Sequence, residues 1–273
     1  MPLLPVSELE KLAPIFRGKA GNALASSLRK LLSVSKLSDL YDEINGFRGP
    51  DFARVLLEQL GIRYLIEGQE KLANLPDGPF ITISNHPYGG IDGIILVDLI
   101  GHLRDGFKVM VNEFLNLIGP LSPSWIIVNP KNNNSNGVTG KNIQGVKEVL
   151  SNLRNGDPVG FFPSGAVSDL KLKEMAIRDR EWQEPLIRLI KKARVPVVPI
   201  RFFDRNSNLF YLLGLIDWKI RTLRLPHELV NKSGALIRVG IGDILTVEDQ
   251  DKHPGIEDFN LWLRNSVYGM PKP

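Results

Sequence analysis

The chain has 273 residues, a formal net charge of +4 and no cysteine. This length suits one large α/β domain with a modest helical addition, and the lack of cysteine excludes disulfides and thiolate metal sites. So small a positive charge, without a helix-turn-helix, zinc-finger or ribonucleoprotein motif, argues against nucleic acid as a partner.

Helical patterns fill the first part of the chain, residues 1–61. A capping box at 7–10 predicts a first helix, and further helices are expected at about 21–32, 37–44 and after Pro50. We expect these helices to form a layer packed on the main domain. The alternative is a membrane-interface face for anionic lipid, formed by Lys19, Leu24, Leu28, Arg29, Lys30, Leu31 and Lys36.

From residue 62 onward, short apolar runs typical of strands alternate with helical patterns. Strands are predicted near 62–66, 81–84, 107–111, 125–128, 159–162, 195–200 and 236–241, and helices near 140–153, 182–193 and 256–267. The alternation predicts an α/β fold: a mixed, mostly parallel sheet flanked by helices on both faces, with an N-terminal helical layer.

Two further expectations follow from this pattern. Pro196 and Pro199 favour an edge or end position for the strand at 195–200, because proline cannot donate to a ladder. The chain divides into an N-terminal helical segment, residues 1–61, and an α/β domain, residues 62–273.

The stretch from Ile81 to Gly93 reads as a strand, a break at His86-Pro87, a glycine turn and the start of a helix. In open α/β sheets, ligands collect at such carboxyl ends of strands. His86 and Asp92 could meet across this turn, so that the carboxylate holds one ring nitrogen while the other faces a substrate. A lone pair of this kind is more often a satisfied turn feature, so its interpretation depends on the rest of the chain.

Several familiar site motifs are missing. Gly140-Lys141 suggests a phosphate loop only superficially, because Ser135 takes the place of its first glycine and Asn142 that of its Ser/Thr. No G-x-S-x-G elbow is present, which argues against an ordinary α/β-hydrolase. The four histidines show no metal-ligand spacing, so no metal site is expected.

Three segments each fall where a predicted strand ends: Asn85-His86 with Asp92, Phe162-Pro163-Ser164-Gly165, and residues 195–200. In this order they resemble the lysophospholipid acyltransferase superfamily, whose corresponding motifs read N-H-x4-D, F-P-E-G-T-R-S and V-P-(hydrophobic)-V-P-(hydrophobic). The resemblance covers roughly residues 60–245. More narrowly, the chain is similar to the bacterial "putative hemolysin" branch, related to acyltransferases that build ornithine- and glycine-containing lipids, through an N-H-P-x-G-G-x-D-G pattern and the segments 205–210 and 225–229.

The chain also departs from the superfamily pattern. His86 and Asp92 are one residue further apart than usual, which Gly89-Gly90 can absorb as a tighter turn. Ser164 stands where the superfamily has glutamate, and Lys131 is the nearest candidate for its second-motif arginine. Because those two residues help to hold glycerol phosphate in the superfamily, the departures favour a different acceptor head group.

The resemblance implies transfer of a fatty acyl chain from a thioester to the hydroxyl of a lyso-lipid. The acyl carrier protein or coenzyme A thioester would be a co-substrate, and no cofactor is expected. His86 would act as general base and Asp92 would fix its tautomer, with backbone N–H groups near Gly89-Gly90 or Ser164-Gly165 stabilising the oxyanion. Candidate substrate-binding residues are Asn85, Gly89, Gly90, Lys131, Pro163, Ser164, Gly165, Ser168 and Arg201.

Other functions stay open at this point. The chain could acylate glycerol 3-phosphate or 1-acylglycerol 3-phosphate, acylate an amine, or be an inactive lipid-binding or scaffolding homologue. A membrane-active hemolysin is not supported, since no run approaches the roughly 18 apolar residues of a spanning helix. We expect a cytoplasmic protein, peripheral to the inner face of the membrane. The basic residues could face anionic lipid, an acidic carrier protein or solvent: Arg178, Arg180, Arg188, Lys191, Lys192 and Arg194.

Overall fold

The computed structural model describes residues 34–44, 46–112, 115, 118–128 and 140–273. The helices in this part of the chain are α1 (Val34–Glu43), α2 (Gly49–Gln59), α3 (Ile91–Gly101), α4 (Gly140–Arg154), α5 (Glu184–Ala193), α6 (Asn208–Ile216), α7 (Trp218–Leu223), α8 (Leu225–Asn231), α9 (Val247–Asp251) and α10 (Ile256–Tyr268). The strands are β1 (Arg63–Glu67), β2 (Ile81–Ser84), β3 (Lys108–Asn112), β4 (Trp125–Val128), β5 (Val159–Phe161), β6 (Asp169–Lys171), β7 (Ala176–Arg178), β8 (Val197–Phe202) and β9 (Leu236–Ile241). Two 3-10 helices cover Gln69–Asn74 and Gly119–Ser124.

Seven of these strands form one sheet, in the order β1-β9-β8-β2-β5-β3-β4. Every neighbouring pair is parallel except β8 and β9, which are antiparallel. The sheet is therefore mixed and mostly parallel, and the predicted α/β fold is confirmed. Strand β2 lies at its centre, so the chain that leaves β2 emerges in the middle of the carboxyl edge.

The sheet is covered on both faces by apolar side chains. One cluster joins α2 and α3 to residues such as Val198 and Ile200 of β8, and the other joins α4, α5 and α10 to Ile81 and Ile83 of β2. All eleven residues of α3 are buried, which explains its run of apolar residues without a polar face. A buried α3 fixes the position of its first turn relative to β2.

The expected edge or end position of the strand at 195–200 is wrong in one respect. Pro196 does lie just before the strand, but β8 is an interior strand between β9 and β2, with Pro199 inside it. The Pro199 carbonyl accepts from the Gly242 N–H at 2.9 Å, just beyond the end of β9 at Ile241. Proline is tolerated here because its missing N–H falls where the ladder to β9 has ended.

The third and fourth predicted N-terminal helices correspond to α1 and α2, and Gly61 takes the expected left-handed conformation, with φ +63°. The first two predicted helices lie outside the described residues, as do the residues proposed for the lipid-binding face except Lys36, which belongs to α1. Within the part that the structure describes, no helix has the length and hydropathy needed to cross a bilayer.

Five elements between residues 169 and 231 are not predicted by the sequence patterns. Strands β6 and β7 pair as an antiparallel hairpin with three residues in each strand, too short for a periodic signal. Helix α6 is apolar on nearly every side, so it has no amphipathic period, and α7 and α8 have only six and seven residues. These elements lie beside the site described next.

Candidate active site

His86 and Asp92 lie side by side at the carboxyl end of β2. His86 follows the strand by two residues, and Asp92 stands in the first turn of α3. The distance from His86 Nδ1 to Asp92 Oδ2 is 3.0 Å. Asp92 is fully buried, and its oxygens accept from the backbone N–H groups of Tyr88 (3.0 Å), Gly89 (3.2 Å) and Gly93 (3.1 Å). These donors and the amino end of α3 stabilise a negative charge on Asp92.

The His86 ring lies close to Asp92 without a straight hydrogen bond to it. The Nδ1 atom is buried and near Oδ2, but no N–H···O angle suitable for a hydrogen bond forms. Catalytic hydrogen bonds are often poorly aligned before substrate binds and tighten in the complex. The ring stacks on Phe162 with centroids 4.1 Å apart, and its side chain is 14% exposed. The ring is thus held on one side and reachable on the other.

Asp179 and Ser168 clamp the backbone of His86. Asp179 Oδ1 accepts from the His86 N–H at 3.1 Å and from the Ser168 hydroxyl at 2.6 Å, and the Ser168 N–H donates to the His86 carbonyl at 2.9 Å. Burial raises the pKa of the Asp179 carboxyl, against the lowering effect of its hydrogen bonds. Asp179 was not predicted from the sequence, because it lies 93 residues from the histidine that it positions.

The turn after His86 is fixed by side chains from the segment that follows β8. The Tyr211 hydroxyl donates to the Pro87 carbonyl at 2.8 Å, and Asn206 Nδ2 donates to the Tyr88 carbonyl at 3.0 Å. Both Tyr211 and Asn206 are buried. The carbonyl groups of the turn are therefore satisfied inside the protein, which makes the turn rigid before any substrate arrives.

Gly89 has the backbone conformation that the longer His-to-Asp spacing predicts. Its φ is +86°, which favours glycine. A Cβ at this position would lie 2.6 Å from Val167 Cγ2 and 2.9 Å from Leu225 Cδ2. A side chain is thus excluded by the backbone conformation and by close neighbours together.

The backbone donors expected at an oxyanion have different surroundings. The Gly89 N–H donates to Asp92, and the Gly165 N–H donates to the Phe162 carbonyl at 2.9 Å. Gly90 borders open space, since a Cβ placed on it would meet nothing within 4 Å. Gly90 also stands at the amino end of α3, where backbone N–H groups favour negative charge.

Asn85 joins the ends of β2 and β8. Its Nδ2 donates to the Phe202 carbonyl and its Oδ1 accepts from the Phe202 N–H, both at 2.8 Å. This reciprocal pair spans 117 residues of sequence and is buried. Its direct role is to hold the strand end from which His86 projects.

Replacing Asn85 with alanine should lower the free energy of unfolding by roughly 2–4 kcal/mol, because two buried backbone groups of Phe202 would lose their partners. Urea denaturation monitored by circular dichroism would measure the change. The matched control is Asn155→Ala at an exposed position, expected to stay within about 0.5 kcal/mol of wild type. Equal stability of the two variants would contradict the structural role of Asn85.

The segment 163–165 forms a tight turn beside His86. Ser164 is buried and its hydroxyl donates to the Ala166 carbonyl at 2.7 Å, while the Pro163 carbonyl accepts from the Gln183 N–H at 2.9 Å. Gly165 has φ +63°, and a Cβ there would lie 1.9 Å from Gln183 Nε2. The Ser164 and Ser168 hydroxyls both donate within the protein, so neither is poised as a nucleophile.

Arg201, one of the predicted substrate-binding residues, makes its observed contacts with the C-terminal end of the chain and not with His86. Arg201 donates to the carbonyls of Tyr268 and Met270, and its guanidinium lies 4.8 Å from the centroid of the Phe203 ring. Burial lowers the pKa of Arg201. Its observed contacts thus hold the C-terminal end of α10. Lys131 lies outside the described residues.

Arg221 of α7 is a buried arginine that the sequence analysis did not single out. It donates to the carbonyls of Val167 (3.2 Å) and Ser168 (3.1 Å) and to the Asp169 carboxylate (2.6 Å). Burial alone would raise the pKa of Asp169, but Arg180 and Arg221 lower it below its usual value. An arginine within the mostly apolar segment 209–223 is the signal that could have revealed it.

The site therefore consists of a histidine–carboxylate pair with a reachable ring, held by a rigid backbone. No group of three or more histidine, aspartate or glutamate side chains among the described residues is arranged to hold a metal ion. A histidine paired in this way can accept a proton from a substrate hydroxyl. Because the nearby serine hydroxyls are engaged, this chemistry suits direct attack by a bound substrate.

The chain is similar to several proteins of known name. The family model described as "Acyltransferase" matches residues 9–270. A lyso-glycine lipid O-acyltransferase of Bacteroides thetaiotaomicron is 28% identical over 256 residues, covering 90% of this chain and 89% of the relative. Another of the same name, from Phocaeicola vulgatus, is 28% identical over 271 residues, covering 94% and 93%. The crystal structure of the 1-acyl-sn-glycerophosphate acyltransferase PlsC from Thermotoga maritima is 14% identical, with a TM-score of 0.47 over 80% of this chain and 78% of that one.

The family match covers nearly the whole chain and includes both members of the His86–Asp92 pair. It confirms the resemblance drawn from the three motifs. The chain belongs to the acyltransferase family, within the lysophospholipid acyltransferase superfamily.

Proposed function

We propose that this enzyme transfers a fatty acyl chain from an acyl-thioester to the hydroxyl of a lyso-lipid, with a lyso-glycine lipid as the acceptor. The carrying observation is the His86–Asp92 pair at 3.0 Å, next to serine hydroxyls that are engaged within the protein. The names of the two curated relatives support the acceptor class.

In the proposed reaction, His86 Nε2 accepts the proton of the acceptor hydroxyl while that oxygen attacks the thioester carbonyl carbon. Asp92 keeps the proton on Nδ1 and stabilises the imidazolium as it forms. The tetrahedral intermediate then collapses, the carbon–sulfur bond breaks, and the thiolate takes the proton from the imidazolium. One ester and one thiol form for each thioester consumed.

The negative oxygen of the intermediate needs a donor, and the Gly90 N–H is the best candidate. Gly90 stands at the amino end of α3 with open space on its Cβ side, whereas the Gly89 and Gly165 N–H groups already have acceptors. One such donor contributes about 3 kcal/mol of transition-state stabilisation in comparable enzymes. The Gly90 N–H is therefore the donor that we assign to the oxyanion.

Ser164, at the position of the superfamily glutamate, supports an acceptor other than glycerol phosphate. The Ser164 hydroxyl is turned into its own loop and donates to Ala166, so it presents no carboxylate to an acceptor. An acyl carrier protein or coenzyme A would supply the thioester, and the enzyme would act at a membrane surface where its acceptor resides.

Lipid mass spectrometry of a host that contains lyso-glycine lipid tests this function. A host expressing the protein should accumulate the O-acylated glycine lipid, and the same host with His86→Ala should not. Accumulation of acylated glycerol phosphate without acylated glycine lipid would overturn the proposed acceptor. A lipid profile identical for both proteins would overturn the enzymatic role of His86.

A further inference from the structure

Most of the exposed large hydrophobic side chains are concentrated near the site. Eight of the fifteen such side chains in the described part lie in α6, α7 and the β6–β7 turn. They are Leu172, Met175, Leu209, Leu212, Leu215, Ile216, Trp218 and Ile220, and we call this set the apolar face. Scattered exposed apolar residues are normal, but a concentration of this kind marks a surface that meets something apolar.

The elements of the apolar face are in direct contact. Helix α6 packs on α7 and on β6. Leu209, Leu212 and Ile216 repeat at the spacing of one helical face, while Phe210 and Tyr211 point into the protein. Met175 and Ile216 are the most exposed, at 82% and 76%. The apolar face is therefore an outward surface of firmly anchored elements.

The elements that carry the apolar face also hold the backbone around His86. Arg221 of α7 donates to the Val167 and Ser168 carbonyls, and Ser168 in turn holds the His86 backbone. Tyr211, from the inner side of α6, donates to the Pro87 carbonyl. A partner seated on this face would therefore contact elements that are bonded directly to the turn after His86 and to the Ser168 segment.

Charge identifies the kind of partner. Lys171 and Lys173 flank Leu172 in the hairpin turn, and Arg205 is exposed just before α6. The acidic Glu174 in the same turn already pairs with Arg178 at 3.0 Å. Leucines and a tryptophan beside lysines and arginine fit the boundary between acyl chains and anionic headgroups. An acidic carrier protein would match the basic groups but not the leucines.

The basic residues expected to contact lipid or carrier are mostly engaged elsewhere. Arg188 pairs with Glu184 at 2.6 Å, Arg180 pairs with Asp169 at 2.6 Å, and Lys191 donates to the His253 carbonyl. Arg194 pairs with Asp251. These contacts favour the hairpin and α6 over α5 as the membrane-facing surface.

We propose that the apolar face docks on an anionic bilayer and delivers the lyso-lipid acceptor laterally to His86. The inference rests on the proposed function, because a lipid acceptor is what makes a bilayer the relevant partner. It assigns the contact to α6, α7 and the β6–β7 turn.

Vesicle flotation of the full chain tests this surface. The variant Leu212→Glu/Ile216→Glu is compared with Leu65→Glu/Leu261→Glu, which adds the same charge at positions of similar exposure on other elements. On phosphatidylcholine vesicles containing phosphatidylglycerol, the first variant should bind at least roughly tenfold more weakly, about 1.4 kcal/mol. The control variant should bind like wild type, and wild type should bind pure phosphatidylcholine more weakly.

Three outcomes would overturn the docking surface: no vesicle binding by wild type, unchanged binding by the first variant, or equal loss by the control. Unchanged binding by the first variant is also the result expected if residues 1–33 cover this face. Acyl transfer to a short-chain, water-soluble lyso-lipid should be the same in all three proteins. If all three lack it while the binding difference persists, the proposed function fails and the docking surface stands.

Discussion

Replacing His86 with alanine should reduce acyl transfer by roughly 10³-fold or more, because general base catalysis alone contributes about 10²–10⁴. The fold should survive, since Asp179 and Ser168 hold the backbone of residue 86 and not its ring. The measurement is kcat/KM, followed by release of free thiol from the thioester, with circular dichroism to verify folding.

His102→Ala is the matched control for this variant. His102 also lies against carboxylates, with Nδ1 3.1 Å from Asp98 and Nε2 3.1 Å from Asp51, but it caps the far end of α3. We expect the control to retain wild-type kcat/KM. If His86→Ala keeps more than a tenth of wild-type activity, or if both variants lose activity equally, a catalytic role for His86 is ruled out.

Replacing Asp92 with asparagine should lower kcat by roughly 10²–10⁴-fold, comparable to loss of the orienting carboxylate in serine proteases. Asparagine has one acceptor oxygen, whereas Asp92 uses both of its oxygens: Oδ2 accepts from Tyr88 and Gly89 and faces His86 Nδ1, and Oδ1 accepts from Gly93. Its amide group would either leave a turn N–H without a partner or favour the wrong ring tautomer. The KM for the thioester should change little, because Asp92 does not itself bind substrate.

Asp98→Asn is the control for this second variant. Asp98 is buried and paired with a histidine in the same helix, so its replacement costs comparable hydrogen bonds. The free energy of unfolding should fall for both variants, but only Asp92→Asn should lose kcat per folded molecule. A kcat near wild type for Asp92→Asn would show that His86 needs no carboxylate partner.

The proximity of His86 and Asp92 could be predicted from the sequence because the two residues are close together along the chain. A strand, a glycine turn and a helix start are local signals, and they place His86 and Asp92 at one carboxyl edge. The glycine pair also predicted a tight turn, which the φ of +86° at Gly89 confirms. Local patterns were sufficient for this turn because its own contacts are local.

The supporting contacts could not be predicted because they join distant segments. Asn85 bonds to Phe202 across 117 residues, and Asp179 reaches His86 across 93. Arg221 could be noticed as a charge in a mostly apolar segment, but its contacts with the Val167 and Ser168 carbonyls could not be predicted. The predicted position of β8 was wrong for a related reason. Its two prolines indicated the edge of the sheet or the end of a strand, but Pro199 is tolerated inside the sheet because the ladder to β9 stops there.

The apolar face shows a third limit of sequence patterns. Helix α6 has apolar residues on its buried and its exposed sides, so periodicity cannot reveal which side faces solvent. Only the packing of α6 on β6 and α7 separates Phe210 and Tyr211, inside, from Leu209 and Leu212, outside. The exposure of Leu209 and Leu212 is therefore visible only in the structure, because nothing in the sequence marks them as surface residues.

One reaction tests the central claim most directly. Purified protein is incubated with lyso-glycine lipid and an acyl-thioester, and the released thiol and the acylated lipid are quantified together, for wild type and for His86→Ala. With wild type we expect one molecule of ester-linked acylated lipid for each thiol released, and with His86→Ala we expect neither the lipid nor the thiol. Thiol release without acylated lipid, an amide in place of the ester, or equal product from His86→Ala would contradict it.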